Sequence, residues 1–272
     1  MRVLRIAALL VLLLAACSPV SQESYFPKAR LVGAELVSLD PFADRLTLKL
    51  DLEVKNPNSF DLPILASKLQ VKLGELTTGG RLPQMTIPKN QSRRVTMTVD
   101  TGIGSAARTV ARLVSGEELP LVITGSIQVG QGSFKTWLGP ATLLSDRVKL
   151  DLSWRPPEVE LLGARANLGF GKLEIAIRYR VKNPMPVGFV WQGKLSAQVG
   201  SARVGDLPVD LRLPPAGTSE GELKFSLSLA DLPGVASALA SGLPFELVGD
   251  LKAKIPGVWE NTLPFDLVGL IQ

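Results

Sequence analysis

Residues 46–64 read LTLKLDLEVKNPNSFDLPI, and this stretch decides the fold. Leu46, Leu48, Leu50, Leu52 and Val54 alternate with Thr47, Lys49, Asp51, Glu53 and Lys55. A period of two places the two sets on opposite sides of an extended chain, so the stretch predicts a strand with one buried and one solvated face. The pattern stops at Asn56-Pro57. Proline has no N–H to give to a ladder, and it pushes the residue before it toward extended geometry.

The same arrangement returns further along. Val181-Lys182-Asn183-Pro184 repeats Val54-Lys55-Asn56-Pro57 at an offset of 127 (181 − 54). It is preceded by Leu173, Ile175, Ile177, Tyr179 and Val181 in alternation with more polar residues. Downstream, Lys68-Leu69 and Lys194-Leu195 are each expected to open a short strand. Arg94 to Val99 and Glu222 to Leu229 alternate as strands. Helical stretches follow at Ser105–Val114 and Leu232–Ser241, with Gly116 and Gly242 at the positions a helix C-cap favours. Leu119-Pro120-Leu121-Val122 and Leu243-Pro244-Phe245-Glu246 then begin strands, and Arg147–Leu152 and Phe265–Ile271 close the two halves. Such a series is a duplication. Short strands with one short helix per copy predict antiparallel sandwiches, and 20 prolines and 25 glycines suit many turns and blunted edges. The halves are expected at residues 29–154 and 155–272, joined near Trp154-Arg155-Pro156-Pro157, where two prolines stiffen the chain.

The repeated segment resembles the late embryogenesis abundant type-2 family, also called the WHy (water stress and hypersensitive response) domain. Asn56, Pro57, Asn58, Leu62, Pro63 and Ile64 match its pattern of Asn-Pro-Asn followed by a hydrophobic-Pro-hydrophobic return. The second copy keeps Asn183 and Pro184 but has Met185 for the second Asn and Val190 for the later Pro. The resemblance implies a mostly β chain of two fibronectin-like or immunoglobulin-like sandwiches, each of roughly seven strands plus one short helix. It also implies a part in desiccation or other stress, and it carries over no catalytic residue. From the residues alone the motif reads first as a chain-reversing turn, with a contact to a partner as the lesser reading.

The N-terminus predicts export. Arg2 and Arg5 precede an apolar run, Ile6–Ala16, which is too short for a span of about 20 residues and suits a signal peptide over residues 1–16. Leu14-Ala15-Ala16-Cys17 resembles the lipobox of bacterial lipoproteins, which implies acylation of Cys17 and a membrane held through that lipid. Residues 17–28 would form the lipidated cysteine and a polar stalk. Ser18 after the cysteine implies the outer membrane, facing the periplasm, in an organism with two membranes. Cys17 is the only cysteine, so no disulfide framework exists.

The remaining residues argue against chemistry. There is no histidine, which removes the commonest general base and the usual zinc and triad sites. Glu117-Glu118 reads as a solvated turn. Asp40, Asp44, Asp51 and Glu53 lack calcium-loop spacing, and Gly102-Ile103-Gly104 and Gly169-Phe170-Gly171 lack a phosphate-cradle pattern. The apolar faces of the two helical stretches (Val110, Leu113 and Val114; Leu232, Val235 and Leu239) read as core packing. No catalytic residue, metal ligand or cofactor is expected. A formal charge of +5 falls to +3 without Arg2 and Arg5 (5 − 2), unclustered, so no nucleic-acid partner is expected. At 46% hydrophobic and a mean hydropathy of +0.23 the chain is built to bury a core. The expected role is a non-enzymatic envelope lipoprotein that protects or binds other envelope proteins; the alternative is a carrier of a lipid or other hydrophobic molecule. Replacing Cys17 with Ser is expected to move the protein from the membrane fraction to a soluble or unprocessed form. Unchanged fractionation would remove the anchor.

Overall fold

The computed structural model describes residues 25–131, 133–228, 230 and 242–271. Cys17 and the expected helix at Leu232–Ser241 lie outside them. The first half holds β1 (Lys28–Asp40), β2 (Arg45–Lys55), β3 (Leu62–Leu73), β4 (Leu76–Gly80), β5 (Met85–Ile87), β6 (Ser92–Thr101), α1 (Ala107–Val114), β7 (Leu119–Gln131) and β8 (Phe134–Val148). The second holds β9 (Glu158–Gly169), β10 (Lys172–Lys182), β11 (Phe189–Val199), β12 (Ala202–Leu213), β13 (Thr218–Ser228), β14 (Leu243–Ile255) and β15 (Trp259–Ile271).

The fold is mostly β, and its sheets repeat. One pair of three-stranded sheets has the orders β1-β2-β6 and β9-β10-β13. The larger sheets have the orders β4-β3-β7-β8, with β5 also on β3, and β12-β11-β14-β15. Strand for strand these orders correspond, so the duplication read in the sequence is also a duplication of topology. β10 runs antiparallel to β9 and β13, β11 to β12 and β14, β14 to β15, β3 to β4, β5 and β7, and β7 to β8.

By internal contacts the described chain falls into two compact units. Of the described residues, unit 1 comprises 25–34, Lys49–Val99 and Leu119–Val148, and unit 2 comprises Glu35–Leu48, Asp100–Glu118 and those from Lys149 onward. In unit 1, Leu50, Leu52 and Val54 of β2 are buried with Ile64, Val71, Met97 and Ile123. An ideal Cβ on Gly80 of β4 would come within 3.0 Å of the Met97 sulfur on β6, a measure of how closely the layers approach. In unit 2 the core centres on Trp191, Phe189 and Phe265. Phe265 meets the Trp191 ring at 5.5 Å and the Tyr179 ring edge-on at 5.8 Å, a favoured aromatic geometry. Trp154 stacks on Trp259 at 4.0 Å with the rings 8° from parallel.

Three expectations need correction. Lys68-Leu69 and Lys194-Leu195 do not open strands; they sit in the middle of β3 and β11, which start at Leu62 and Phe189. The hydrophobic-Pro-hydrophobic return is itself the start of β3, since Pro63 can lie in a ladder whose partner there is only the three-residue β5. Arg147–Leu152 is not a closing strand: β8 ends at Val148 and the chain is irregular from there to β9. The helical stretch from Ser105 is a 3-10 turn at Gly104–Ala106 leading into α1. Its start is capped from a distance, as Asp44 accepts bonds from the N–H groups of Ile103 (3.0 Å) and Gly104 (2.8 Å).

Glycine is required where strands pack closest. A Cβ on Gly125 of β7 would lie 2.1 Å from the Lys68 carbonyl oxygen, and its φ of 149° is strained for other residues. Gly249 faces Lys194 in the same way at 2.7 Å. By contrast nothing lies within 4 Å of a Cβ on Gly79. Gly125→Ala is therefore expected to cost about 2–3 kcal/mol and Gly79→Ala less than about 0.5 kcal/mol, read by thermal or urea unfolding. Equal effects would contradict this packing.

Candidate functional site

The asparagines of the repeated motif point inward. Asn56 follows the last residue of β2 and is completely buried. Its side-chain amide donates to the carbonyls of Phe60 (2.8 Å), Ile87 (3.0 Å) and Pro88 (3.2 Å). Its side-chain oxygen accepts from the Asn58 backbone N–H (2.9 Å) and the Asn58 amide (2.8 Å). The backbone N–H of Asn56 donates to Gln91 (2.9 Å). Asn58, also buried, reaches on to the Tyr25 carbonyl (3.0 Å), and its own carbonyl accepts from Asn90 (3.0 Å). One amide thus joins the end of β2, the start of β3 and the turn between β5 and β6. That turn, Pro88–Gln91, closes with a 3.1 Å bond and holds Asn90 at a φ of 56°, a conformation asparagine tolerates. Pro57 is exposed and Pro63 half-buried, while Leu62 and Ile64 are buried in β3.

The second copy reproduces this knot with different residues. Asn183 is buried and donates to Val187 and Pro214, both at 2.8 Å, and accepts from the Met185 N–H at 3.0 Å. Its backbone N–H donates to Gly217 (2.8 Å), and Ala216 donates to Met185 (2.7 Å). Pro214–Gly217 is the equivalent turn, with Ala216 at a φ of 47°. Pro184 is half-buried. Where Asn58 donates to Tyr25, the Met185 sulfur instead accepts from the Arg155 N–H at 3.2 Å. Either residue ties down the segment that leads into its own copy's first strand. Sequence reasoning missed Tyr25, Gln91, Arg155 and the two turns, because their partners lie about 30 residues away and share no motif.

The acidic residues singled out in the sequence are engaged. Asp40 accepts from Phe42 and Ala43, Asp51 from the Thr96 hydroxyl, and Glu53 pairs with Arg30. Glu117, beside Glu118, pairs with Arg112 at 2.7 Å. No group of three or more His, Cys, Asp or Glu side chains positioned for a metal occurs among the described residues. Shifted acidities have structural causes. The Thr47 hydroxyl, and then Arg45, hold the Asp100 carboxyl below its usual value, and burial raises Tyr179. Arg180 bridges Glu220 (2.8 Å) and Glu160 (3.4 Å) across β13, β10 and β9, a mixed-sign ladder of solvent-exposed pairs that water and salt screen. A cavity of about 680 Å³ opens on the same sheet, lined by charged Arg165, Glu174 and Lys224 as well as Ile175 and Phe225. No described helix is long and apolar enough to cross a membrane.

Residues 51–140 match the family model described as late embryogenesis abundant protein. No curated protein matches the sequence. Among solved structures, a solution structure of an Arabidopsis thaliana protein is 16% identical, over 44% of this chain and 83% of that one, with a TM-score of 0.36. A red sea bream transglutaminase is 12% identical over 90% of this chain and 31% of its own, with a TM-score of 0.29. A DUF4785 family protein of Legionella pneumophila is 13% identical over 87% and 56%, with a TM-score of 0.22.

Asn56→Asp removes an amide that three carbonyls require and places a carboxylate against them. It is expected to destabilise the chain by at least about 3 kcal/mol, and Asn183→Asp by a similar amount. Unfolding curves check this; a loss below about 1 kcal/mol at both positions would mean that the knots are not needed for folding.

Proposed function

We propose that this chain, whose residues 51–140 match the late embryogenesis abundant family model, is a lipid-anchored envelope protein that shields or binds its neighbours without catalysis. The observation that carries the non-catalytic reading is the saturation of Asn56 and Asn183 by their own backbone. The polar groups the two copies share are fully used in holding strands, and a chain without histidine lacks the commonest general base. What the protein offers outward is sheet face, strand edge and hairpin tip. The Leu14-Ala15-Ala16-Cys17 segment supports attachment through Cys17, with localisation at the periplasmic face of an outer membrane where the organism has one.

The family supports a part in water stress. A folded body that survives drying can keep neighbouring proteins from meeting one another as water leaves, and copies on a lipid tether would do so next to the membrane. The mixed charged lining of the cavity beside Ile175 gives the carrier reading little support, since a lipid tail prefers a dry apolar enclosure.

A drying-sensitive enzyme mixed with the purified protein, dried and rehydrated, is expected to retain several-fold more activity than with an equal mass of an unrelated β-sandwich protein. Equal recovery would sink the protective role. A co-purifying lipid that is still bound after Cys17→Ser, seen by native mass spectrometry, would favour the carrier instead.

A further inference from the structure

Unit 2 contains a joint that the duplication leaves half-made in two other places. Leu39, the second-last residue of β1, forms an isolated parallel bridge with Val187. The Leu39 N–H donates to Pro186 at 2.7 Å, and the Gly188 N–H donates to the Leu39 carbonyl at 2.8 Å. Both Leu39 and Val187 are 0% exposed. The adjoining hairpin tip takes part, with the Arg212 guanidinium 5.8 Å from the Phe42 ring.

Each side of this joint has a counterpart. On the hairpin side, Leu168 is the second-last residue of β9, as Leu39 is of β1. Each hairpin then ends on a residue of positive φ, Asp44 at 51° and Gly171 at 71°. On the loop side, the Val187 carbonyl accepts from Asn183 as the Phe60 carbonyl accepts from Asn56. The counterparts are exposed: Leu168 is 59% and Phe60 50% exposed, the Phe60 ring lying 6.3 Å from that of Tyr25, and Phe170 at the second hairpin tip is fully exposed. β9 is also the outer strand of its three-stranded sheet, so its outward backbone groups lie off the ladder.

We infer that a second copy of this chain fills both places, with Leu168 of one copy bridging Phe60 of the next between Ser59 and Asp61. The occupant follows from the joint itself: the surfaces that meet at Leu39 and Val187 are the same two surfaces, built by the same repeat. Because each chain carries one hairpin side and one loop side, the contact is head-to-tail and extends into a row or closes into a ring. Two backbone bonds and one apolar pair hold weakly in dilute solution. Crowding of copies on a surface raises the effective concentration and strengthens the contact.

Cysteine crosslinking of the full chain tests this, in a Cys17→Ser background that removes the native thiol. Oxidation of the Leu168→Cys, Phe60→Cys double variant is expected to give species larger than a monomer on non-reducing gels. Mixing the two single variants is expected to stop at dimers, and neither single variant alone should crosslink. A Leu39→Cys, Val187→Cys pair should close within one chain. Monomers only from the double variant, or dimers from either single variant alone, would overturn the inference. Failure of the 39–187 pair to close would do the same, because the contact between copies repeats that joint.

Discussion

Both repeats are organised around a side-chain amide that water does not reach. An unpaired buried polar group costs about 1–3 kcal/mol, so the carbonyls that Asn56 and Asn183 serve cannot drift from them without leaving several groups unpaired together. Three separate pieces of chain in each copy are therefore held in one arrangement. Register follows, because a slip of one residue along β2 or β10 would turn Leu50 or Ile177 to solvent as well as break the amide bonds. The alternating leucines supply the driving force, at about 1.5–3 kcal/mol for each large buried side chain. The amide decides which pairing that force produces.

This division explains how the copies diverged. Asn56 and Asn183 both donate to a carbonyl four residues on and to the facing turn and accept from the N–H two residues on, while the position after the proline has changed from Asn58 to Met185. Its task, fastening the entry segment, needs only some bond to a nearby backbone group, and a thioether sulfur accepting from Arg155 meets it where an amide donating to Tyr25 did. The turn that closes the knot tolerates Ala216 in place of Asn90, although alanine is less at ease at positive φ. Inward polar groups keep their role in both copies, and the outward ones differ in part: Arg180 of β10 pairs with Glu160 and Glu220, while in β2 Glu53 pairs with Arg30, Thr47 donates to Asp100 and Asp51 accepts from Thr96.

Much of this was legible from the residues. Period-two alternation placed β2, β6, β10 and β13, since burial on one face leaves a local imprint. The proline after each asparagine marked the turn. What local pattern could not carry was the far side of each bond: Ile87, Pro88 and Pro214 have no feature that marks them as acceptors of an amide some 30 residues earlier. Strand starts were misplaced at Lys68 and Lys194 because proline has no ladder donor and nothing local marks Phe189, yet Pro63 enters β3 where its partner is only the three-residue β5. Arg147–Leu152 alternates like a strand, and the pattern outlasts the pairing, since β7 has no residues left to match beyond Val148.

Trp154 and Trp259 lie face to face at 4.0 Å, nearly parallel. Two indoles that close share their excited states, so light absorbed by one is felt by the other, and any skew of their transition dipoles within the stacked planes gives the pair an optical activity that neither ring has alone. The segment just before Pro156-Pro157 therefore carries a built-in chromophore pair. Circular dichroism in the ultraviolet can follow that segment's attachment to β15 as a signal separate from the melting of the sheets.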